Sequence, residues 1–190
     1  MNKTSRVIIL FAALLLAGMY FTPIWEILLD APQYPERLGM KIHIDGISGD
    51  LNTINGLNHY IGMKVIEPDS IFELKIMPYI LGFLILFGVV TAITGKRMLL
   101  YVWFALLVIS GIAGGIDFYL WEYDYGHNID PNAIIKVPGM NYQPPLIGSK
   151  QLLNFTAQSL PDIGAYFAFA AGALALYVII REWKSSTKKV

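Results

Sequence analysis

The sequence predicts an all-α membrane protein, a four-transmembrane-helix bundle with two long extracytoplasmic loops forming a small mixed cap. Hydrophobic residues make up 55% of the 190 and charged residues only 15%, against about 25% charged in an average soluble domain. Four apolar runs, at about 7–25, 77–94, 98–117 and 163–181, approach the roughly 20 helical residues that cross a hydrocarbon core of roughly 30 Å. Lys3, Arg6, Lys96, Arg97, Arg181, Lys184, Lys188 and Lys189 all flank one side of those runs. The chain 1–190 reads as a single membrane domain.

The first run follows Lys3 and Arg6 and leads into Thr22-Pro23-Ile24-Trp25 with no small-x-small cleavage site, so it reads as a retained anchor rather than a signal peptide. The eight flanking cations put both termini in the cytoplasm by the positive-inside rule. Thirteen of the 14 acidic residues then lie outside or at the outer boundary, and Glu182 stands alone among the inner cations. The expected location is the inner (cytoplasmic) membrane, multi-pass. Trp25, Tyr79, Tyr119 and Trp121 near the outer span ends, and Trp183 at the inner end, are expected as interfacial anchors.

Gly95-Lys96-Arg97 joins the second and third spans as a tight hairpin, which leaves almost no cytoplasmic domain. Gly111 with Gly115, and Gly164, Ala168 and Gly172, are small-xxx-small series that allow helices to approach closely. No ionisable residue lies mid-span, so a proton relay or ion pathway lacks its usual side chains. With no cysteine in the chain, disulfides, thiolate metal sites and a lipoprotein anchor are excluded. Any metal would need His, Met, Asp or Glu. No nucleophile motif, Gly-rich phosphate loop or metalloprotease helix occurs, so an enzyme is not expected. No nucleic-acid partner is indicated.

Function is therefore expected in the two outer loops, 26–76 and 122–162, which are far longer than connectors need to be. Met40 to Asp45 alternates apolar and polar residues as a half-buried strand does, and this places His43 on the polar face, where solvation accounts for it. Asp50 to Gly62 reads as a short helix with Ile54, Leu57 and Ile61 on one side and Asn52, Asn55, His59 and Met63 on the other. His59 and Met63 form an i, i+4 pair, and imidazole with thioether suits Cu(I). A histidine bonded to a carbonyl and a gap-filling methionine explain the same residues without metal. Gly62 is a candidate left-handed cap, and Ser70 to Glu73 a capping box for the second span.

In the second loop, Pro138, Pro144 and Pro145 predict an extended, stiff segment that presents Met140 beside Tyr142. Lys150 to Gln158 is expected to be a short helix, with Asp162 capping the fourth span. His127 and Met140 repeat in this loop the ligand types of His59 and Met63, so a joint site is a candidate. The alternative, coincidence in a Gly- and Met-containing chain, stays open.

The strings Ala31-Pro32-Gln33-Tyr34-Pro35, Ile54 to Met63 and Pro138 to Gly148 together carry a likeness. The chain resembles small multispan membrane proteins encoded beside nitrous oxide reductase and its maturation factors. That resemblance implies copper binding and delivery, or assembly, for a periplasmic copper enzyme. The implied partners are the lipid bilayer and a periplasmic copper protein or those maturation factors, and the implied cofactor is copper as Cu(I). It supplies no ligand set, so His59, Met63, His127 and Met140 stand on residue chemistry. The alternative is a metal-free structural or docking subunit of a membrane complex.

Overall fold

A computed structural model describes residues 1–135, 139 and 141–187. Its four long apolar helices, Lys3–Tyr20, Phe72–Thr94, Arg97–His127 and Ile163–Ser185, have the length and composition to cross a membrane. The first is an α-helix, α1 (Lys3–Leu15), running into a 3-10 helix, Leu16–Tyr20. The others are α3 (Phe72–Thr94), α4 (Arg97–His127) and α5 (Ile163–Thr187), and a shorter helix, α2 (Leu51–Ile61), lies between the first and second.

Local chemistry sets the helix ends. The Asn2 side chain accepts from Ser5 N at 2.7 Å and so caps α1. Gly95, at φ 66°, ends α3 in the left-handed conformation that glycine adopts without a Cβ penalty, and only it and Lys96 separate α3 from α4. The expected Ser70 capping box is absent. Ile71 occupies the N-cap of α3 with no side-chain hydrogen bond, and the Ser70 hydroxyl donates instead to Glu67 O within a 3-10 turn, Pro68–Ser70.

Within the bundle, α1 packs against both α3 and α5, and α4 closes on α3 and α5. Trp103 is fully buried at its centre, and its indole N–H donates to Leu84 O at 2.8 Å. Gly88 makes room for it, since a Cβ there would stand 2.6 Å from Ala13 Cβ and 2.8 Å from the Trp103 ring. The small-residue series divide: Gly164 packs on Pro23 and Ile24, whereas a Cβ at Gly111 or Gly115 would meet nothing within 4 Å.

Polar groups fasten the cation-rich ends of the helices to one another. Glu182 on α5 is buried and accepts from Ser5 Oγ at 2.7 Å, Asn2 N at 3.1 Å and Arg97 Nε at 3.0 Å. The Met1 amino group donates to Gly95 O at 2.7 Å, and the Arg6 guanidinium caps the α3 carbonyls of Ala92 and Ile93. Orphan carbonyls at a helix C-terminus are thereby satisfied by cations.

At the opposite end the all-α expectation fails: the protein is mixed α/β. The strands β1 (Trp25–Ala31), β2 (Tyr34–Ile42), β3 (Ile47–Gly49), β4 (Gly148–Leu152) and β5 (Phe155–Pro161) form one antiparallel sheet in the order β3-β2-β1-β5-β4. Three strands come from the segment between the first and second apolar helices and two from the segment between the third and fourth. They join where β1 pairs with β5, Leu28 standing opposite Gln158. The helix expected over Lys150 to Gln158 is this β4–β5 hairpin, and the first span ends at Tyr20 rather than Trp25, which opens β1.

Alternation is present in every long strand, with Ile27 and Ala31, then Leu38, Met40 and Ile42, buried on one face. On β5 the buried positions are Ala157 and Ser159, too small to signal a strand by hydrophobicity. The β4–β5 turn is equally silent, because its left-handed residue is Leu153, at φ 55°, rather than the Gly or Asn that marks such a turn.

Candidate functional site

A helix rises 1.5 Å per residue, so a span that starts at Arg97 leaves a hydrocarbon core of roughly 30 Å near Asp117. The last ten residues of α4, expected to begin a loop at Glu122, continue as helix alongside the sheet. They carry a ladder of rings: Trp25 to Phe118 at 5.3 Å, Phe118 to Trp121 at 6.1 Å and Trp121 to Tyr125 at 4.4 Å between centroids. Phe118, Trp121 and Tyr125 pack with Ile27, Leu38, Met40, Ile54 and Ile66, which is the core of the cap. Trp25 and Trp121 are thus half-buried against the cap core, and the Trp25 indole donates to Ser159 Oγ at 2.7 Å.

This overhang brings the C-terminal end of α4 against the C-terminal end of α2. Lys64 Nζ donates to Asp124 Oδ2 at 2.6 Å, Tyr125 Oη donates to Val65 O at 3.1 Å, Asp130 N to Gly62 O at 2.8 Å and Ile135 N to Tyr60 O at 2.9 Å. Hydrogen bonds from Lys64 and Asn128 hold the Asp124 carboxyl below the ordinary aspartate range. A Cβ on Gly62 would stand 2.7 Å from Ala133 Cβ, so only glycine permits this approach. The same residue is the left-handed cap of α2 (φ 78°), with Met63 N donating to Asn58 O at 2.9 Å.

The predicted ligands gather at this junction by their elements, not by their side chains. His59, in the last turn of α2, is exposed, with its ring 6.1 Å from that of Tyr60. Met63 is half-buried and lies beyond the helix end, so helical i, i+4 geometry does not apply to the pair. His127 is exposed, stacks on Tyr123 at 3.9 Å and directs Nδ1 to Tyr123 O at 3.0 Å. A carbonyl can only accept, so Nδ1 is the donor, and in the neutral imidazole Nε2 then keeps its lone pair. Met140 lies outside the described residues.

His43 is occupied elsewhere, with Nε2 at 2.9 Å from Ser48 Oγ. Asn55, expected beside His59 on the polar face, binds the returning chain through both Ile66 N and Ile66 O. Among the described residues no group of three or more His, Asp or Glu is arranged to hold a metal ion.

One group at the junction escaped the sequence reading. Glu122 is fully buried, and neither carboxylate oxygen has a hydrogen-bond partner among the described residues. One helical turn on, Gly126 O accepts from Tyr142 N at 3.0 Å, and a Cβ on Gly126 would stand 2.3 Å from Gln143 N. The chain around Tyr142 and Gln143 thus seals that face of α4. Burial pushes the Glu122 carboxyl up to about 8, so at neutral pH it is chiefly a neutral acid. No sequence signal could find it, since an acid just past a span end is ordinarily hydrated.

A scan against protein-family models finds no match, and no curated protein matches the chain.

Proposed function

We propose that the protein is a membrane accessory whose extracytoplasmic cap binds Cu(I) at the α2–α4 junction and delivers it to a periplasmic copper enzyme, nitrous oxide reductase or its maturation factors. The observation that carries this reading is the tying of two chain-distant helix ends, bearing His59, Met63 and His127, by four hydrogen bonds. The Nδ1 contact of His127 with Tyr123 O leaves Nε2 open to a ligand, and thioether softness favours Cu(I) in a chain without thiolate. Met140 would complete the set. Ligands held at the surface rather than in a closed cage suit a carrier that must release its cargo. Orientation follows from the eight flanking cations, with both termini in the cytoplasm of an inner-membrane protein.

A metal-free docking subunit is the second reading, and it too has an observation. Tyr60, Val65, Ile134 and Ile135 expose 52%, 52%, 69% and 46% of their surface around the same junction, and exposed apolar patches outside the bilayer mark protein contacts.

Copper stoichiometry separates the two. Purified protein loaded with Cu(I) under reducing conditions, in competition with a chromophoric chelator, is expected to retain one copper per chain. Replacing His59 and Met63 together by Ala, or His127 by Ala, should abolish retention, and His43→Ala should leave it intact. Equal retention by wild type and the double variant, or none above background, sinks the copper role and leaves docking.

A further inference from the structure

A cavity of about 360 Å³ opens between the cap and the start of α3, lined by Asp45, Pro68, Asp69, Leu74, Lys75, Pro78 and Tyr79. Asp45 comes from the turn between β2 and β3, Asp69 from the 3-10 turn, and Lys75 from the first turns of α3. All three charged residues are exposed, and none forms an ion pair or hydrogen bond with another described residue. Three charges kept close to one cleft without neutralising one another fit a ligand bearing both signs.

Position adds a constraint. Lys75, Pro78 and Tyr79 are spaced i, i+3 and i+4, so they share one face of a spanning helix at its cap end. The end of a helix that crosses a bilayer lies at headgroup level. Tyr79 is 79% exposed and Leu74 is buried, which gives the cleft an apolar wall continuous with the lipid-facing surface. Pro78 has no N–H to donate, so the helix ladder is interrupted at this turn. Tyr20 Oη donates to Pro78 O at 2.5 Å and fixes this part of α3 to the first span.

We propose that this cleft is a subsite for a zwitterionic phospholipid with a primary amine, phosphatidylethanolamine, with Lys75 on the phosphate and Asp45 and Asp69 taking the ammonium. An anionic headgroup without an amine meets two carboxylates and one ammonium, a net repulsion. A choline headgroup has the charge but no N–H for the carboxylates. The assignment is independent of copper.

Native mass spectrometry of the full chain, released from micelles doped in turn with dioleoyl phosphatidylethanolamine, phosphatidylcholine and phosphatidylglycerol, tests it. Wild type is expected to retain the ethanolamine lipid selectively. Lys75→Ala should weaken that retention about fivefold, the size of one lysine's attraction to lipid phosphate. Asp45→Asn with Asp69→Asn should turn the preference to phosphatidylglycerol, because Lys75 then acts alone. All three positions are exposed, so a thermal melt should show the variants folded. Equal retention of the three lipids by wild type, or an unaltered preference in the double variant, overturns the proposal. Displacement of the lipid by equimolar soluble glycerophosphoethanolamine would overturn its assignment to a membrane lipid.

Discussion

Glu182 and Glu122 are both buried, at opposite ends of the molecule, and their surroundings could hardly differ more. Glu182 receives hydrogen bonds from the chain start, from α1 and from α4, and its charge is matched by Arg97. Glu122 receives none from the described residues, and burial alone governs its protonation. The contrast shows two ways of keeping a carboxyl out of water. One end of the bundle keeps the charge and surrounds it with donors, while the cap discards the charge and keeps the proton.

The largest expected effect is at the charged site. Glu182→Ala leaves its three donors unanswered, of which Arg97, 40% exposed, is left to solvent, a loss on the order of 2–3 kcal/mol. Thermal unfolding in detergent should show a large drop in the midpoint. A drop no larger than that of an exposed ion-pair variant such as Lys64→Ala would mean that Glu182 is hydrated and the comparison is wrong.

Glu122→Gln should act in the other direction and depend on pH. Because the folded-state pKa of Glu122 lies above its ordinary 4.5, the folded protein holds one more proton than the unfolded chain between that value and about 8. Stability therefore falls as pH rises through this window, at up to about 1.4 kcal/mol per pH unit, and the penalty is absent below it. The amide mimics the neutral acid, so wild type and variant should unfold alike near pH 4.5. Near pH 7.5 the variant should be more stable by about 1–3 kcal/mol, once the amide's own unpaired N–H groups are counted. Parallel pH profiles for the two proteins would show that Glu122 is not buried neutral.

The membrane part of this structure was legible because the bilayer imposes a long, one-dimensional apolar signal. Gly95 and Lys96 marked the α3–α4 link, and the polar face of Asp50 to Gly62 with its glycine cap marked α2. The cap was harder to read for specific reasons. Trp25 continues the first apolar run in sequence, although the chain has already turned out of the helix at Tyr20 and entered β1. The pairing that makes the sheet joins β1 to β5 across more than a hundred residues of chain, and local periodicity carries no trace of it. Small core residues at Ala157 and Ser159, with a left-handed leucine in the turn, concealed the β4–β5 hairpin. At the junction, residue chemistry singled out His59, Met63 and His127, but only the α4 overhang brings their elements together.

The cap that carries this junction joins two chain-distant segments in one sheet, and the absence of cysteine from the chain makes that pairing directly measurable. Leu28→Cys combined with Gln158→Cys puts two thiols at directly opposed positions of β1 and β5, where neighbouring antiparallel Cα atoms lie about 4.5–5.5 Å apart, within disulfide reach. Mild oxidation of membranes carrying this variant is expected to close an intramolecular disulfide, seen as a reversible shift in electrophoretic mobility. Two thiols that stay free under conditions that oxidise a surface-exposed control pair would contradict the shared sheet, and with it the mixed α/β cap.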